Sequence, residues 1–183
     1  MRFSGPARQR AVTSLDGVIE RLGREGYDRV ERTSPFDARL GSSTGKRALR
    51  LHMSREGKVL GGSYALELST DGPVLPPTRG LSARGKGVVR MRGVAFRARR
   101  GDEEGGRLAA RLASDTRLAE ALGRVHFERL RVEPDGRPVI RHLGGSVVWI
   151  LFPPIVRPIP FVPEQARATL AALERFAEVG TRV

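Results

Sequence analysis

Short stretches in which apolar and polar residues alternate recur along this 183-residue chain. They constrain its fold more than any other feature of the sequence. Leu49, Leu51 and Met53 alternate with Arg50 and His52. This period of two gives a strand one buried and one exposed face. Further strands are predicted at 27–33, 63–69, 87–100, 125–132 and 139–143, with a turn at Glu56-Gly57.

Apolar residues at helical spacing predict an amphipathic helix ending at Gly23, two short helices between 107 and 123, and a last helix from Pro163. Strands outnumber helices, and strand and helix do not alternate regularly. We therefore predict an α+β fold, a mostly antiparallel sheet with helices packed on one face. A single domain over 1–183 is expected, with 1–10 a mobile basic arm unless the first helix already begins at Pro6. The loop 71–84 is where the chain would divide if it had two domains.

The best-defined turn lies between the strands 125–132 and 139–143. Pro134 presets its φ for a type I turn, and Gly136 accepts the positive φ that follows. The resulting hairpin would place Leu130 opposite Ile140 and His142 opposite Glu128.

The apolar run Ser146 to Phe152 predicts a central strand buried on both faces, with Trp149 as a core anchor. The Pro-rich segment 152–163 that follows is more apolar than a surface loop needs to be. Three interpretations stay open for it: packing on the core, a dimer contact, or the lining of a ligand pocket.

Charge is distributed unevenly along the chain, whose formal net charge is +13. Residues 1–100 carry 21 Lys and Arg against 9 Asp and Glu, whereas the remainder is nearly balanced. Between Asp71 and Asp102 there is no acid, and eight cations occupy the gap. Such a field favours acidic partners, among them nucleic acid, anionic lipid or an acidic protein.

Within that gap, Arg90, Arg92, Arg97 and Arg99 would project from one face of the strand 87–100, with a β-bulge at Arg92–Gly93 correcting the phase. Guanidinium groups bind phosphate and carboxylate bidentately, so these four arginines form the candidate anion-binding site. No aromatic residue interleaves with them for base stacking. A merely solvated strand face, with Glu67 or a similar residue as partner, is the competing interpretation.

Other chemistries find little support. There is no cysteine, which excludes disulfides and thiolate sites. The stretch Gly41 to Arg47 resembles a phosphate-binding loop, but it has three residues between its glycines and no hydroxyl after Lys46. His126, His142 and Glu128 suggest a metal or acid–base site less readily than a cross-strand polar pair. We assign no catalytic residue, metal ligand or cofactor.

The N-terminus lacks the apolar core of a signal peptide, and the longest apolar run, 147–154, is too short to span a bilayer. A cytoplasmic location without a transmembrane segment is therefore predicted.

The run from Arg137 to Pro154, with Gly93-Val94-Ala95-Phe96-Arg97 upstream, resembles an uncharacterised bacterial family catalogued only as a domain of unknown function. The resemblance covers most of the chain. It implies no activity, cofactor or site.

These observations favour a non-enzymatic binding module for an anionic partner, either nucleic acid or another polyanion. The alternative is a small-molecule-binding protein or enzyme with a pocket near the Pro-rich segment 152–163. A third hypothesis is a homo-oligomeric structural or accessory protein.

Overall fold

The computed structural model describes residues 4–86 and 93–181. Within them, the helices and strands are α1 (Ser4–Arg24), β1 (Arg29–Ser34), β2 (Asp37–Gly41), β3 (Leu49–Lys58), β4 (Gly61–Thr70), β5 (Leu81–Lys86), β6 (Gly93–Ala98), α2 (Glu103–Ser114), α3 (Thr116–Arg124), β7 (Phe127–Val132), β8 (Pro138–His142), β9 (Val147–Ile150), β10 (Ile155–Pro158) and α4 (Pro163–Gly180). The strands pair antiparallel. The predicted α+β class with a mostly antiparallel sheet is confirmed.

The chain divides into two compact units. Unit 1 comprises Met1–Leu68 with Arg141–Pro163, and unit 2 comprises Ser69–Ile140 with Glu164–Val183. The first boundary lies just before the loop at which the sequence would allow a division. A single domain over the whole chain stays a prediction.

In unit 1 the strand order is β1-β2-β3-β4-β9-β10. Helix α1 packs against β9 and β10, and the Ser14 hydroxyl donates a hydrogen bond of 2.7 Å to the carbonyl oxygen of Gly145. The buried face of α1 begins at Ala7 and Ala11 and continues through Leu15 to Leu22. The helix begins at Ser4, close to the start at Pro6 that the sequence left open as the alternative to a basic arm over 1–10, because these two alanines extend its buried stripe.

Two further details of unit 1 differ from the sequence prediction. Strand β3 continues to Lys58, so the turn lies at 59–60 rather than at Glu56-Gly57. Strand β2 was not expected, because only Ala38 and Leu40 face the core and the run is too short to show an alternation.

Strand β9 is buried on one face only, which corrects the prediction of a strand covered on both. Val147 and Trp149 are buried, whereas Val148 and Ile150 are exposed. The Trp149 ring lies against Gly62, where an added Cβ would come within 2.3 Å of the indole Cζ2. It also contacts Tyr64, with ring centroids 5.3 Å apart. Trp149 is thus confirmed as a core anchor.

In unit 2 the strand order is β8-β7-β5-β6, with β8 represented by its residues 138–140. Helices α2 and α3 pack against β6, and Phe176 of α4 meets Phe96 edge to face, with ring centroids 6.2 Å apart. The Asp115 carboxylate caps α3 by accepting from Leu118 N at 2.8 Å, and it also binds the Arg175 guanidinium at 2.6 Å. Together the hydrogen bonds that Arg175 donates to Asp115 and Glu178 raise the pKa of Arg175.

The predicted turn of the β7–β8 hairpin is confirmed. Gly136 has a φ of +90°, and its N–H donates to the Glu133 carbonyl oxygen at 2.9 Å. The Glu133 N–H donates in turn to Arg137 O at 2.8 Å, and continuing this ladder residue by residue places Leu130 opposite Ile140. Both of these side chains are fully buried.

The segment from 71 to 100 differs most from expectation. Its loop ends at Gly80 and is followed by β5, which pairs with β6. Strand β6 is described from Gly93, so the predicted bulge at Arg92–Gly93 lies outside the described residues.

Candidate anion-binding groove

The sheet of unit 2 places arginines from two strands beside a small residue of the strand between them. Ser82 of β5 is the register partner of Arg97 on β6 and of Arg131 on β7. Directly opposed residues have Cβ atoms about 5 Å apart. The two arginine stems therefore stand about 10 Å apart across a side chain too short to separate their guanidinium groups.

Alternation extends this row along both strands. Arg99 follows two positions after Arg97, and Arg129 precedes Arg131 by two, so each adds a cation on the same face about 7 Å further along. Arg99 lies towards the Gly80 end of β5 and Arg129 towards its other end. The result is a diagonal band of four guanidinium groups crossing three strands.

The opposite face of these strands explains why the arginines point outward. Leu81, Ala83, Leu130 and Val132 are buried, and helices α2 and α3 contact β6 on that side. Because successive side chains in a strand point to opposite faces, burying the apolar set directs the arginines to solvent.

The arginine face is concave, with a groove of about 600 Å³. This volume lies within the usual range of ligand-binding clefts. We call it the arginine groove; it is lined by residues 79–83, 97–99 and 128–134.

Charge in the arginine groove is strongly positive. Five arginines face two glutamates, and Glu133 accepts from the Arg131 Nε at 2.6 Å. Within residues 4–86 and 93–181, no carboxylate lies within ion-pair distance of Arg97, Arg99 or Arg129. Three exposed guanidinium groups are therefore available to an anionic ligand.

The fifth arginine, Arg79, is held at the rim by backbone contacts. Its N–H donates to the Asp102 carboxylate at 2.8 Å, and the same carboxylate accepts from Gly105 N at 2.9 Å as it caps α2. The hydrogen bond from Gly105, followed by that from Arg79, lowers the pKa of Asp102. Thr78 N also donates to Pro134 O at 3.0 Å, which ties this loop to the hairpin.

A comparison with known protein families gives a match over most of the chain. A family model described as "Protein of unknown function (DUF3156)" matches residues 25–179. The chain belongs to this family. No curated protein and no solved structure matches it.

Of the four arginines that the sequence predicts as the anion-binding site, Arg97 and Arg99 lie in the arginine groove. Arg90 and Arg92 lie outside the described residues. Sequence reasoning missed Arg79, Arg129 and Arg131. Arg129 and Arg131 do flank the buried Leu130 in the predicted hairpin, but their convergence with Arg97 depends on the non-local pairing of β5 with β7.

The His/His/Glu site, which the sequence favoured less than a cross-strand polar pair, is not formed. His142 is fully buried with its ring edge-on to Phe161, centroids 5.3 Å apart, whereas His126 and Glu128 are exposed. Neither ring nitrogen of His142 has a hydrogen-bond partner among the described residues, so the polar pair with Glu128 is also wrong. Burial lowers the pKa of His142 to about 3, which keeps the ring neutral. In the described part of the chain, no group of three or more His, Asp or Glu side chains is placed to bind a metal.

The phosphate-loop candidate 41–47 precedes a strand, β3, rather than the helix N-terminus that a phosphate-binding loop of this type opens. No helix in the described ranges is long and apolar enough to cross a membrane.

Unit 1 contains a separate cavity of about 280 Å³. It is lined by one face of α1 and by Gly145 and residues 158–161 of the Pro-rich segment. Its walls are mostly apolar. Arg21 is the charged residue in its lining, half-buried and without a carboxylate partner in the described residues.

Proposed function

We propose that the protein binds an anionic polymer, nucleic acid or another polyanion, through the arginine groove of unit 2. The observation that carries the proposal is the row Arg97–Ser82–Arg131, extended by Arg99 and Arg129, in which three guanidinium groups have no carboxylate partner. Guanidinium groups spaced at about 7–10 Å suit successive phosphate or sulfate groups along a chain.

The composition of the groove favours recognition of a backbone rather than of bases. Among the described residues that line it, none is aromatic. Single-stranded nucleic acids bound through their bases normally stack on aromatic side chains. We therefore propose binding without sequence preference, dominated by counterion release and so strongly weakened by salt. The proposal is of a binding module rather than an enzyme, acting in the cytoplasm.

The test compares two triple variants with the same change in charge. The groove variant carries Arg97→Gln, Arg99→Gln and Arg129→Gln. The helix variant carries Arg107→Gln, Arg111→Gln and Arg117→Gln, three exposed positions on α2 and α3 of the same unit. Affinity for a labelled DNA duplex is measured by fluorescence anisotropy across a salt series, with heparin as competitor.

Log affinity falls as log salt rises, and each phosphate contact contributes about 1 to the steepness of this fall. We therefore expect the fall to be less steep by about 3 in the groove variant. The helix variant should retain most of the wild-type slope. Equal losses in the two variants would mean that binding follows net charge alone, and the proposal would be wrong. If the wild-type protein binds the DNA duplex and heparin does not compete, the ligand is nucleic acid rather than polyanions in general.

A second candidate function, the pocket protein that the sequence offered as an alternative, is supported by the cavity of unit 1, which residues 158–161 of the segment 152–163 help to line. A half-buried guanidinium at apolar walls suits a small carboxylate with an aliphatic or aromatic body. Short-chain fatty acids and benzoate should raise the melting temperature of wild type, as ligand binding to the folded state requires, and should not raise that of Arg21→Gln. Equal shifts in both proteins would exclude this site.

A further inference from the structure

Two turns lie side by side at one end of the sheet of unit 1. One joins β3 to β4 through Val59 and Leu60, and the other joins β9 to β10 through residues 151–154. Gly61 is the register partner of Ile150, and Leu151 N donates to Leu60 O at 3.0 Å. We call this pair of turns, residues 59–60 and 151–154, the double tip.

The double tip exposes large apolar side chains. Val59 is 93% exposed, Phe152 80% and Leu60 65%. Behind them, Ile150 and Ile155 are register partners and are also exposed. Isolated exposed apolar residues are common, but a contiguous apolar end marks a surface that contacts something less polar than water. Packing within unit 1 accounts for Trp149 and leaves these five side chains unexplained.

Cations flank the double tip on both faces of the sheet. Arg157 pairs with Val148, on the face of Ile150 and Ile155, one alternate position further from the turn. Arg55 lies over the Trp149 ring on the other face, 6.0 Å from its centroid. At about 3.3 Å per strand residue, Arg157 stands about 10 Å behind residue 154 and Arg55 about 13 Å behind residue 59.

Acidic residues are scarce in the same region. Residues 141–163 contain none, and the one acid in the segment 55–61 is Glu56, which forms an ion pair with Arg141. The double tip therefore combines an apolar end with a collar of positive charge.

We propose that the double tip inserts into the surface of an anionic lipid bilayer. Interfacial elements bury their apolar residues about 5–10 Å into the headgroup region. Arg157 and Arg55 lie about 10–13 Å behind the tip, just beyond that depth, and their long side chains reach the headgroups. The arginines would then lie at the level of the lipid phosphates, where each cation strengthens binding about five-fold.

A second copy of the chain fits this surface less well. Strand β10 has four residues and ends at Pro158, which cannot donate a ladder hydrogen bond.

The experiment measures co-sedimentation with vesicles of phosphatidylcholine alone and of phosphatidylcholine and phosphatidylglycerol in equal parts. The tip variant carries Val59→Ser and Phe152→Ser, both at exposed positions that support no core. The matched control is Val30→Ser, an exposed apolar position on β1 of the same unit.

We expect wild type and Val30→Ser to bind the anionic vesicles, and the tip variant to lose about ten-fold or more in partitioning. Arg157→Gln should lose several-fold on anionic vesicles and nothing on phosphatidylcholine. In Phe152→Trp, the emission should shift to shorter wavelength when anionic vesicles are added.

Equal partitioning of wild type and the tip variant would overturn the proposal. So would an unchanged emission in Phe152→Trp, because position 152 would then stay in water. If light scattering without vesicles gives a dimeric wild type and a monomeric tip variant, the double tip joins two copies instead. The groove variant should still bind vesicles; its failure to do so while the tip variant binds would assign lipid binding to the arginine groove and overturn the proposal.

Discussion

The outward faces of two groups of strands, β5–β7 in unit 2 and β9–β10 in unit 1, differ sharply although their inward faces are alike. In each, alternate residues are buried, Leu81 and Leu130 in unit 2 and Val147 and Trp149 in unit 1. The outward residues are arginines in unit 2 and Val148, Ile150 and Ile155 in unit 1. Packing of the core determines which face of each strand points inward. It does not restrict which residue types occupy the outward face. The two outward faces are therefore where the two proposed binding activities reside.

The largest effect is expected from removing the aromatic anchor of unit 1. Trp149→Ala should lower the free energy of unfolding by about 3–5 kcal/mol, because Gly62 leaves a space that only the indole fills. Urea unfolding monitored by circular dichroism checks this value. As a control, Ile150→Thr on the outward face of β9 should cost less than about 1 kcal/mol. Similar losses in the two variants would mean that β9 has no distinct inward face.

The next effect concerns the hairpin that supports the arginine groove. In Gly136→Ala the new Cβ would lie 1.9 Å from the carbonyl oxygen of Leu75, in addition to the strain at a φ of +90°. We expect a loss of about 3 kcal/mol in the free energy of unfolding.

Gly101→Ala is the matched control in unit 2. Its φ is +76°, but its nearest new contact is at 3.9 Å, so only the backbone strain of about 1–2 kcal/mol applies. Chemical denaturation of both variants measures the difference. Equal costs would show that the loop at Leu75 moves away freely.

A smaller effect is expected from pH, because the interior of unit 1 contains a buried histidine, His142. His142 has its pKa lowered to about 3 by burial, so the unfolded chain binds a proton that the folded chain excludes between about pH 6.5 and pH 3. The free energy of unfolding is therefore unaffected by His142 well above pH 6.5, and it decreases as the pH falls below that value. Between pH 7 and pH 5 this histidine should account for a loss of about 2 kcal/mol.

Denaturation of wild type and His142→Leu at both pH values isolates this contribution, since the leucine variant should lack it. His52→Gln serves as the control, because His52 is half-exposed and its Nδ1 bonds the Asp37 carboxylate at 2.7 Å. A pH dependence that disappears in His52→Gln instead would locate the titration at that pair. Burial raises the pKa of Asp37, but hydrogen bonds from Ser34 and His52 lower it further than burial raises it.

Local patterns in the sequence predict the elements that depend on near neighbours. The Pro134-to-Gly136 turn and the burial of Trp149 each follow from a few adjacent residues. Features that depend on distant pairing do not. The run 146–152 is apolar on both sides, and the sequence contains no sign that the outward side stays uncovered. Arg97 and Arg131 are 34 positions apart and meet only because β5 lies between their strands.

The Asp102 carboxylate joins two parts of unit 2, the loop before β5 and the start of α2. It accepts from the amide of Arg79 at the rim of the arginine groove and from that of Gly105 in the first turn of α2. A fluctuation that releases one of these amides weakens the hold on the other, because both depend on the same side chain. We therefore expect the rim and the start of α2 to open together, so hydrogen exchange at the two amides should slow together when the arginine groove is filled.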